Sequence, residues 1–204
     1  MPIESIVTRE FRVSYPHLDK PQVSKGKDPS TGKYSITMLF PKTTDISALK
    51  DHVKAVLLEK FGSADRVPKG FRSPFRDGDT DETNKGKEGY AGHIFVTATS
   101  KEPVPILKHA AKTPQNPKGK VRVENPLDVY PGCYAIATIK ASWYETEGNR
   151  GVKFFLNNLL LHRDGEPLGS RGSAEDDLGD IPPEPGSIPG DSEETSTEVD
   201  DIVL

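Results

Sequence analysis

Residues 134–161 read YAIATIKASWYETEGNRGVKFFLNNLLL, and their reading decides the fold. Tyr134 to Tyr144 is a long strand. Glu145 to Gly151 is a loop of turn residues, and Val152 to Leu161 returns as a strongly apolar strand. This is a long β-hairpin. Working outward, Lys33 to Phe40 alternates cleanly, with Tyr34, Ile36, Met38 and Phe40 on one face and Ser35 and Thr37 on the other, a second clear strand stopped by Pro41. Glu10 to Tyr15 alternates in the same way, with Phe11, Val13 and Tyr15 on one side. His93 to Thr99 supplies a further strand.

The spacing of Ile46, Leu49, Val53, Val56, Leu57 and Phe61 predicts one helix, opened by Thr44 or Asp45 as N-cap and closed by Gly62. Its other side mixes Lys50, Lys54 and Lys60 with Asp51 and Glu59, an ordinary solvated face. Between these elements, residues 16–32, 62–92 and 101–120 read as loops, the last a loop or extended arm with four prolines and five lysines. The inventory is mainly β: about five strands, one helix and long loops. It fits an OB-fold-like five-stranded barrel, and equally other small barrels or sandwiches.

Charge divides the chain. Residues 1–163 carry 26 Lys and Arg against 18 Asp and Glu, whereas residues 164–204 carry only Arg171 against 13 acids. The formal net charge of −4 therefore hides a basic body and an acidic end. Residues 181–190 hold four prolines and two glycines, the composition of a linker. The expected organisation is a folded domain over 1–170 and a Pro/Gly linker with a disordered acidic tail over 171–204. The chain ends Asp200-Asp201-Ile202-Val203-Leu204. Acids followed by three aliphatics suit a hook offered to another protein; plain solubilisation is the competing reading. No stretch approaches the roughly 20 apolar residues of a membrane span, and no secretory signal is expected at the start. The lone Cys133 excludes an internal disulfide framework and suits a reducing cytoplasm.

A basic body points to a polyanion. Rings and cations interleave at Tyr15, Lys33-Tyr34, Phe71-Arg72, Phe75-Arg76, Lys140, Trp143-Tyr144 and Lys153-Phe154. Single-stranded nucleic acid asks for this combination, because cations neutralise phosphates and rings stack on bases. An aromatic in a strand is more often core than platform, so Phe71 and Phe75, in an irregular segment beside Pro74, are the better ring candidates. Trp143 and Tyr144 are neighbours on a strand and point to opposite faces, so one can be core while the other is exposed. Asp77, Asp79, Asp81 and Glu88 imitate part of a calcium loop, but Glu82 stands where the pattern needs glycine; a solvated charged loop is the better reading. The five histidines show no ligand spacing, and no nucleophile elbow, P-loop or dinucleotide fingerprint is present. Neither an enzyme nor a metal or other cofactor is expected.

An ordered series of motifs then carries a resemblance. It runs through Arg12-Val13-Ser14-Tyr15, Lys33-Tyr34-Ser35 with Phe40-Pro41-Lys42, and Phe75-Arg76-Asp77-Gly78-Asp79. It continues with Val129-Tyr130-Pro131-Gly132-Cys133-Tyr134, then Tyr144, Gly151 and Asn157-Asn158-Leu159. It closes with Arg163-Asp164-Gly165-Glu166-Pro167-Leu168-Gly169 and Ala174-Glu175-Asp176-Asp177. Over residues 8–180 this series resembles a bacteriophage single-stranded DNA-binding protein family, long catalogued as a domain of unknown function. The resemblance implies an OB fold and a role in phage DNA replication, recombination or repair in the cytoplasm of an infected bacterium. It implies single-stranded DNA as partner, duplex DNA as a further one, and replication or recombination proteins docking on the acidic tail; a homo-oligomer is left open. Residues 163–167 read as a turn closing the domain, and the segment 103–120 matches the family least.

The expected function is sequence-independent coating of single-stranded DNA, with the tail modulating binding. The alternative is a protein-interaction adaptor without strong DNA affinity. A third reading, a nuclease or recombinase subunit using Asp77–Asp81 with magnesium, would show itself as metal-dependent cleavage.

Overall fold

A computed structural model describes residues 4–169 apart from Ser24 and Glu147; the expectations on the linker and on Asp200, Asp201, Ile202, Val203 and Leu204 lie outside the described residues. In chain order the elements are β1 (Ile6–Val7), β2 (Phe11–Gln22), β3 (Lys33–Pro41), helix α1 (Ser47–Phe61), β4 (Arg76–Asp77), β5 (His93–Ser100), β6 (Ile106–His109), β7 (Lys120–Arg122), β8 (Tyr134–Thr146) and β9 (Asn149–Arg163). Three short 3-10 turns lie between them.

Five strands close a ring in the order β8–β2–β3–β5–β9 and back to β8. All pairs are antiparallel except β5 with β9. This is a mainly β architecture of the OB type, a partly open five-stranded barrel. The openness has a location. Direct pairing of β5 with β9 is limited to Ala98↔Phe154 and Thr99↔Phe155. The rest of that seam is filled by the segment 71–77, which bridges Arg72 to Gly151 at one end and pairs Arg76 with Phe95 at the other.

The period-two pattern explains the interior. Ile36, Met38 and Phe40 of β3, Val96 and Ala98 of β5, Ala135, Ala137 and Ile139 of β8, and Phe154 and Leu156 of β9 are all buried. On the outer face of β3 and β5, Leu39 and Phe95 form a satellite cluster under Tyr90 and Leu168. Cys133 is fully buried, and that burial pushes its thiol up to about 11.

Helix α1 is close to its predicted span. The N-cap position falls to Ile46 rather than to Thr44 or Asp45; Asp45, one residue before it, still accepts the Ser47 amide on its Oδ1 at 2.9 Å, and Gly62 takes φ +79° as its N–H donates to the Leu58 carbonyl. The helix buries Leu49, Val53 and Val56. It also buries His52, whose Nε2 accepts the Ala141 amide of β8 at 3.0 Å. That side chain satisfies an amide on the edge of β8, which β1 and β2 pair only as far as Ile139.

Three expectations are corrected. Residues 16–22 are strand, not loop: β2 continues past Pro16 and Pro21 by shifting register twice against β3, and Tyr15 takes φ +44° at the first shift. The 101–120 arm contains strand β6 and leads into β7, with β6 pairing β7 antiparallel and β9 parallel. The tip of the long hairpin is also shorter than the predicted loop, because pairing runs on to Thr146↔Asn149. Residues 164–168 do close the domain: Tyr130 Oη donates to the Gly165 carbonyl and Leu168 N–H donates to the Pro131 carbonyl.

Candidate nucleic-acid interface

The β5–β9 seam is where the predicted residues meet. Lys33 from the start of β3, Arg72 and Arg76 from the seam segment, and Tyr144 and Lys153 from the long hairpin line one cleft of about 520 Å³. Thr97 and Thr99 of β5 form its floor, with Val152 and Thr146 at the hairpin side. Strand alternation delivers these groups. Residues 95, 97 and 99 face outward because 96 and 98 face the core, and Tyr144 and Lys153 lie on nearly opposite positions of β8 and β9.

The seam segment approaches the hairpin closely at one glycine. The Arg72 N–H donates to the Arg150 carbonyl at 2.8 Å and the Val152 N–H to the Arg72 carbonyl at 3.2 Å. A Cβ on Gly151 would overlap that Arg72 carbonyl oxygen. Phe71 and Phe75, expected to be free platforms, instead anchor the segment. Both are half-buried against the core, Phe71 with its ring centroid 6.2 Å from Trp143 and Phe75 edge-on to Phe154 at 6.2 Å. The rings hold the segment down while Arg72 and Arg76 reach the cleft.

Electrostatically the cleft is a cation site without a resident counter-charge at its centre. Lys153 Nζ lies 4.8 Å from the Phe155 ring centroid and 5.9 Å from that of Tyr144. Burial first, then repulsion from Lys33 and Lys101, hold its ammonium below the ordinary lysine range. A phosphate there would offset the repulsion by supplying the opposite charge. Arg76 has one carboxylate near it, Asp81 at 3.8 Å.

The remaining candidates fall elsewhere. Trp143 points away from Tyr144, as neighbours on a strand must, and its ring sits edge-on to Phe61 of α1 at 5.0 Å. Its Nε1 is buried with no hydrogen-bond partner among the described residues. Lys140 lines a separate depression with Glu59 and Lys60 of α1. Tyr34 is half-buried against the core. Tyr15 is exposed beside Lys87, whose Nζ lies 5.2 Å over its ring, in a second pocket with Tyr90 and Leu168. Sequence reasoning missed Thr97, Thr99 and Phe155. It paired Lys153 with Phe154, but Phe154 is fully buried and Phe155 is the ring beside the ammonium. Counting two residues along the strand from Lys153 would have found it.

The acidic run is a structural clamp. Asp77 and Asp79 each hold Lys42 Nζ, at 2.8 and 2.7 Å. Asp79 also accepts the Gly92 amide, and Asp81 accepts the amides of Thr83 and Asn84. Lys42 holds both Asp77 and Asp79 below the usual carboxylate range. Among the described residues no three His, Cys, Asp or Glu side chains converge as a metal site would require, and no helix is long and apolar enough to cross a membrane.

Comparison with known proteins bears on the fold and the family. The chain is 29% identical over 179 residues to "Putative protein p50" of Acyrthosiphon pisum secondary endosymbiont phage 1, an alignment covering 83% of this chain and 89% of that protein. Among solved structures it resembles the single-stranded DNA-binding protein from bacteriophage Enc34 in complex with ssDNA, with TM-score 0.65, 24% identity, and coverage of 81% of this chain and 90% of that one. It also resembles gp2.5, a single-stranded DNA-binding protein encoded by bacteriophage T7, with TM-score 0.54, 15% identity, and coverage of 92% and 99%. At these identities the structures speak for the fold. The sequence family described as Enterobacter phage Enc34, ssDNA-binding protein, matches residues 4–187, nearly the whole chain, and the chain belongs to that family.

Proposed function

We propose that this chain binds single-stranded DNA without sequence preference, in the cleft at the β5–β9 seam. One observation carries the reading. Five residues drawn from three distant parts of the sequence, Lys33, Arg72, Arg76, Tyr144 and Lys153, line one cleft on the outer face of an OB-type ring. Strands two and three of such rings, with the adjoining loops, bind oligonucleotides. Here β3 and β5 hold those places, and the β8–β9 hairpin forms the opposite wall. The cations release counterions from phosphates, and the exposed face of Tyr144 is a stacking platform. No base-reading array of side-chain amides lines the cleft, which supports sequence tolerance.

The reading extends to the tail. A formal −12 over residues 164–204 faces a formal +8 over residues 1–163. The acidic end competes with DNA for the basic cleft, and its apolar terminus is offered to replication or recombination proteins. A tethered competitor acts at high effective concentration, most strongly at low salt where screening is weak.

The test is binding of a labelled oligothymidylate, followed by anisotropy and gel shift at several salt concentrations, for the full chain and for a chain ending at Asp180. Binding with a negative log–log salt slope, tighter for the shorter chain at low salt, is expected. No binding by either form would overturn the proposal and favour the adaptor. Equal binding by both would leave the cleft and remove the tail's control.

A further inference from the structure

The β6–β7 hairpin contributes nothing to the cleft, yet it is the most one-sidedly charged part of the domain. From Pro103 to Val123 there are five cations, Lys108, Lys112, Lys118, Lys120 and Arg122, and no Asp or Glu. All five are exposed, and none pairs with a carboxylate among the described residues. The same stretch contains no Phe, Trp or Tyr. Where the cleft mixes rings with cations, the hairpin has cations and one imidazole, that of His109, which is engaged with His162.

The hairpin is built, not loose. Ile106 and Val123 are buried at its base, and the Leu159 amide donates to the Pro105 carbonyl at 3.0 Å. Its connection is folded on itself: Ala110 N–H donates to the Gly119 carbonyl, Thr113 and Asn116 exchange backbone bonds, and Asn116 Oδ1 accepts the Lys120 amide. A charged β7 would be reason enough as protection of a free sheet edge. That explanation does not reach Lys108, Lys112 and Lys118, which lie off β7.

Its position connects it to the cleft. Strand β9 carries Lys153 in the cleft and, seven residues on, Leu160 paired with Leu107 of β6. That is about 23 Å along one strand at about 3.3 Å per residue. Lys101, which repels Lys153, begins the segment that leads into β6.

We propose that the β6–β7 hairpin is a second nucleic-acid contact, holding the phosphates of a DNA strand that runs out of the cleft along β9, without stacking on its bases. The inference rests on the cleft being a DNA site. Polyanions of nucleic-acid charge density are the ligands that unpaired cation arrays bind, and affinity then tracks salt through counterion release.

The test is a length series of oligothymidylates against the full native chain and K108Q/K118Q/K120Q/R122Q, read on the one-to-one complex across a salt range. For oligomers short enough to occupy the cleft alone, the two proteins should bind equally. As length increases, the native chain should gain affinity and a steeper salt slope. The variant should lack that gain, its slope shallower by up to about 3 for four lost phosphate contacts on a single strand. K108R/K118R/K120R, with Arg122 retained, should behave as native, which separates charge from folding. Identical length dependence and slope for native and variant would overturn the proposal and leave the cleft intact. A native chain that binds no oligomer at any length would overturn both. Aggregation of the variant with an unchanged slope in its soluble fraction would assign the charges to edge protection instead.

Discussion

Lys42 and Lys153 stand in opposite electrostatic conditions on the same small domain. At the 77–92 corner, two carboxylates close on Lys42 and raise its pKa. In the cleft, burial and two neighbouring lysines lower that of Lys153. One cation has been neutralised to hold a loop; the other is left uncompensated. Net charge counts both alike, so the basic character of a sequence says how many cations exist and not which of them are available to a ligand. The same division recurs at Arg163, which is held bidentate by Glu10 and lies over the Tyr134 ring, against the unpaired cations of the hairpin.

The strongest way to break this contrast is to remove the cleft's own groups. Tyr144→Ala should weaken oligothymidylate binding by about 1–3 kcal/mol, roughly 5- to 150-fold, and Lys153→Ala should flatten the salt slope, both read by anisotropy. Lys42→Ala should leave affinity within about twofold at moderate salt. If Lys42→Ala proved as harmful as Tyr144→Ala, the division between structural and available cations would be wrong. Next in size, Gly151→Ala should cost about 1–3 kcal/mol of stability in urea unfolding, as for other overpacked sites. It forces the Arg72 carbonyl away, so it should also reduce DNA affinity.

A subtler effect follows from the Lys42 corner. Asp77 and Asp79 are depressed below an ordinary value near 3.8. A carboxylate depressed on folding contributes stability above its unfolded pKa and loses it as pH falls through the folded value. The difference in thermal midpoint between native and Lys42→Ala should therefore be constant from neutral pH to about pH 5 and close below about pH 4. A difference that persisted into strong acid would show the pairs to be irrelevant. Smallest of all should be Trp143→Phe. Its ring faces Phe61 and Phe71 rather than the cleft, so gel-shift affinity should change by less than about twofold, against the larger loss expected for its neighbour Tyr144.

Much of this was legible in the residues and some was not, for identifiable reasons. β3 was plain because a period of two with one buried face has a single reading. β2 was cut short because Pro16 and Pro21 look like turn formers; both are accommodated in a stretch where pairing with β3 is already irregular. β6 and β7 were hidden by four prolines and by strands of only four and three residues with few apolar anchors, Val104, Ile106 and Val123. In the cleft, the cations were legible because a lysine or arginine, even when its stem is covered, keeps its charged end at a polar surface. The rings were not, since Phe71, Phe75, Tyr144 and Phe155 differ only in which face they occupy, and that is set by pairings with distant strands.

The ring closes late in a different sense from its geometry. β2 is completed by pairing Phe11 with Ala135, and the seam with β5 needs Phe154 of β9. As the chain leaves the ribosome, the first three strands of the ring therefore emerge with the outer edge of β2 bare and that of β5 paired only by β4, at Ile94 and Phe95. They wait for almost the whole domain to be translated, at roughly 5–20 residues per second. Such long-range closure is intrinsically slow. A message truncated before β9 would release a sheet with unpaired edges rather than a smaller working domain, and intact synthesis becomes a precondition for solubility as well as for function.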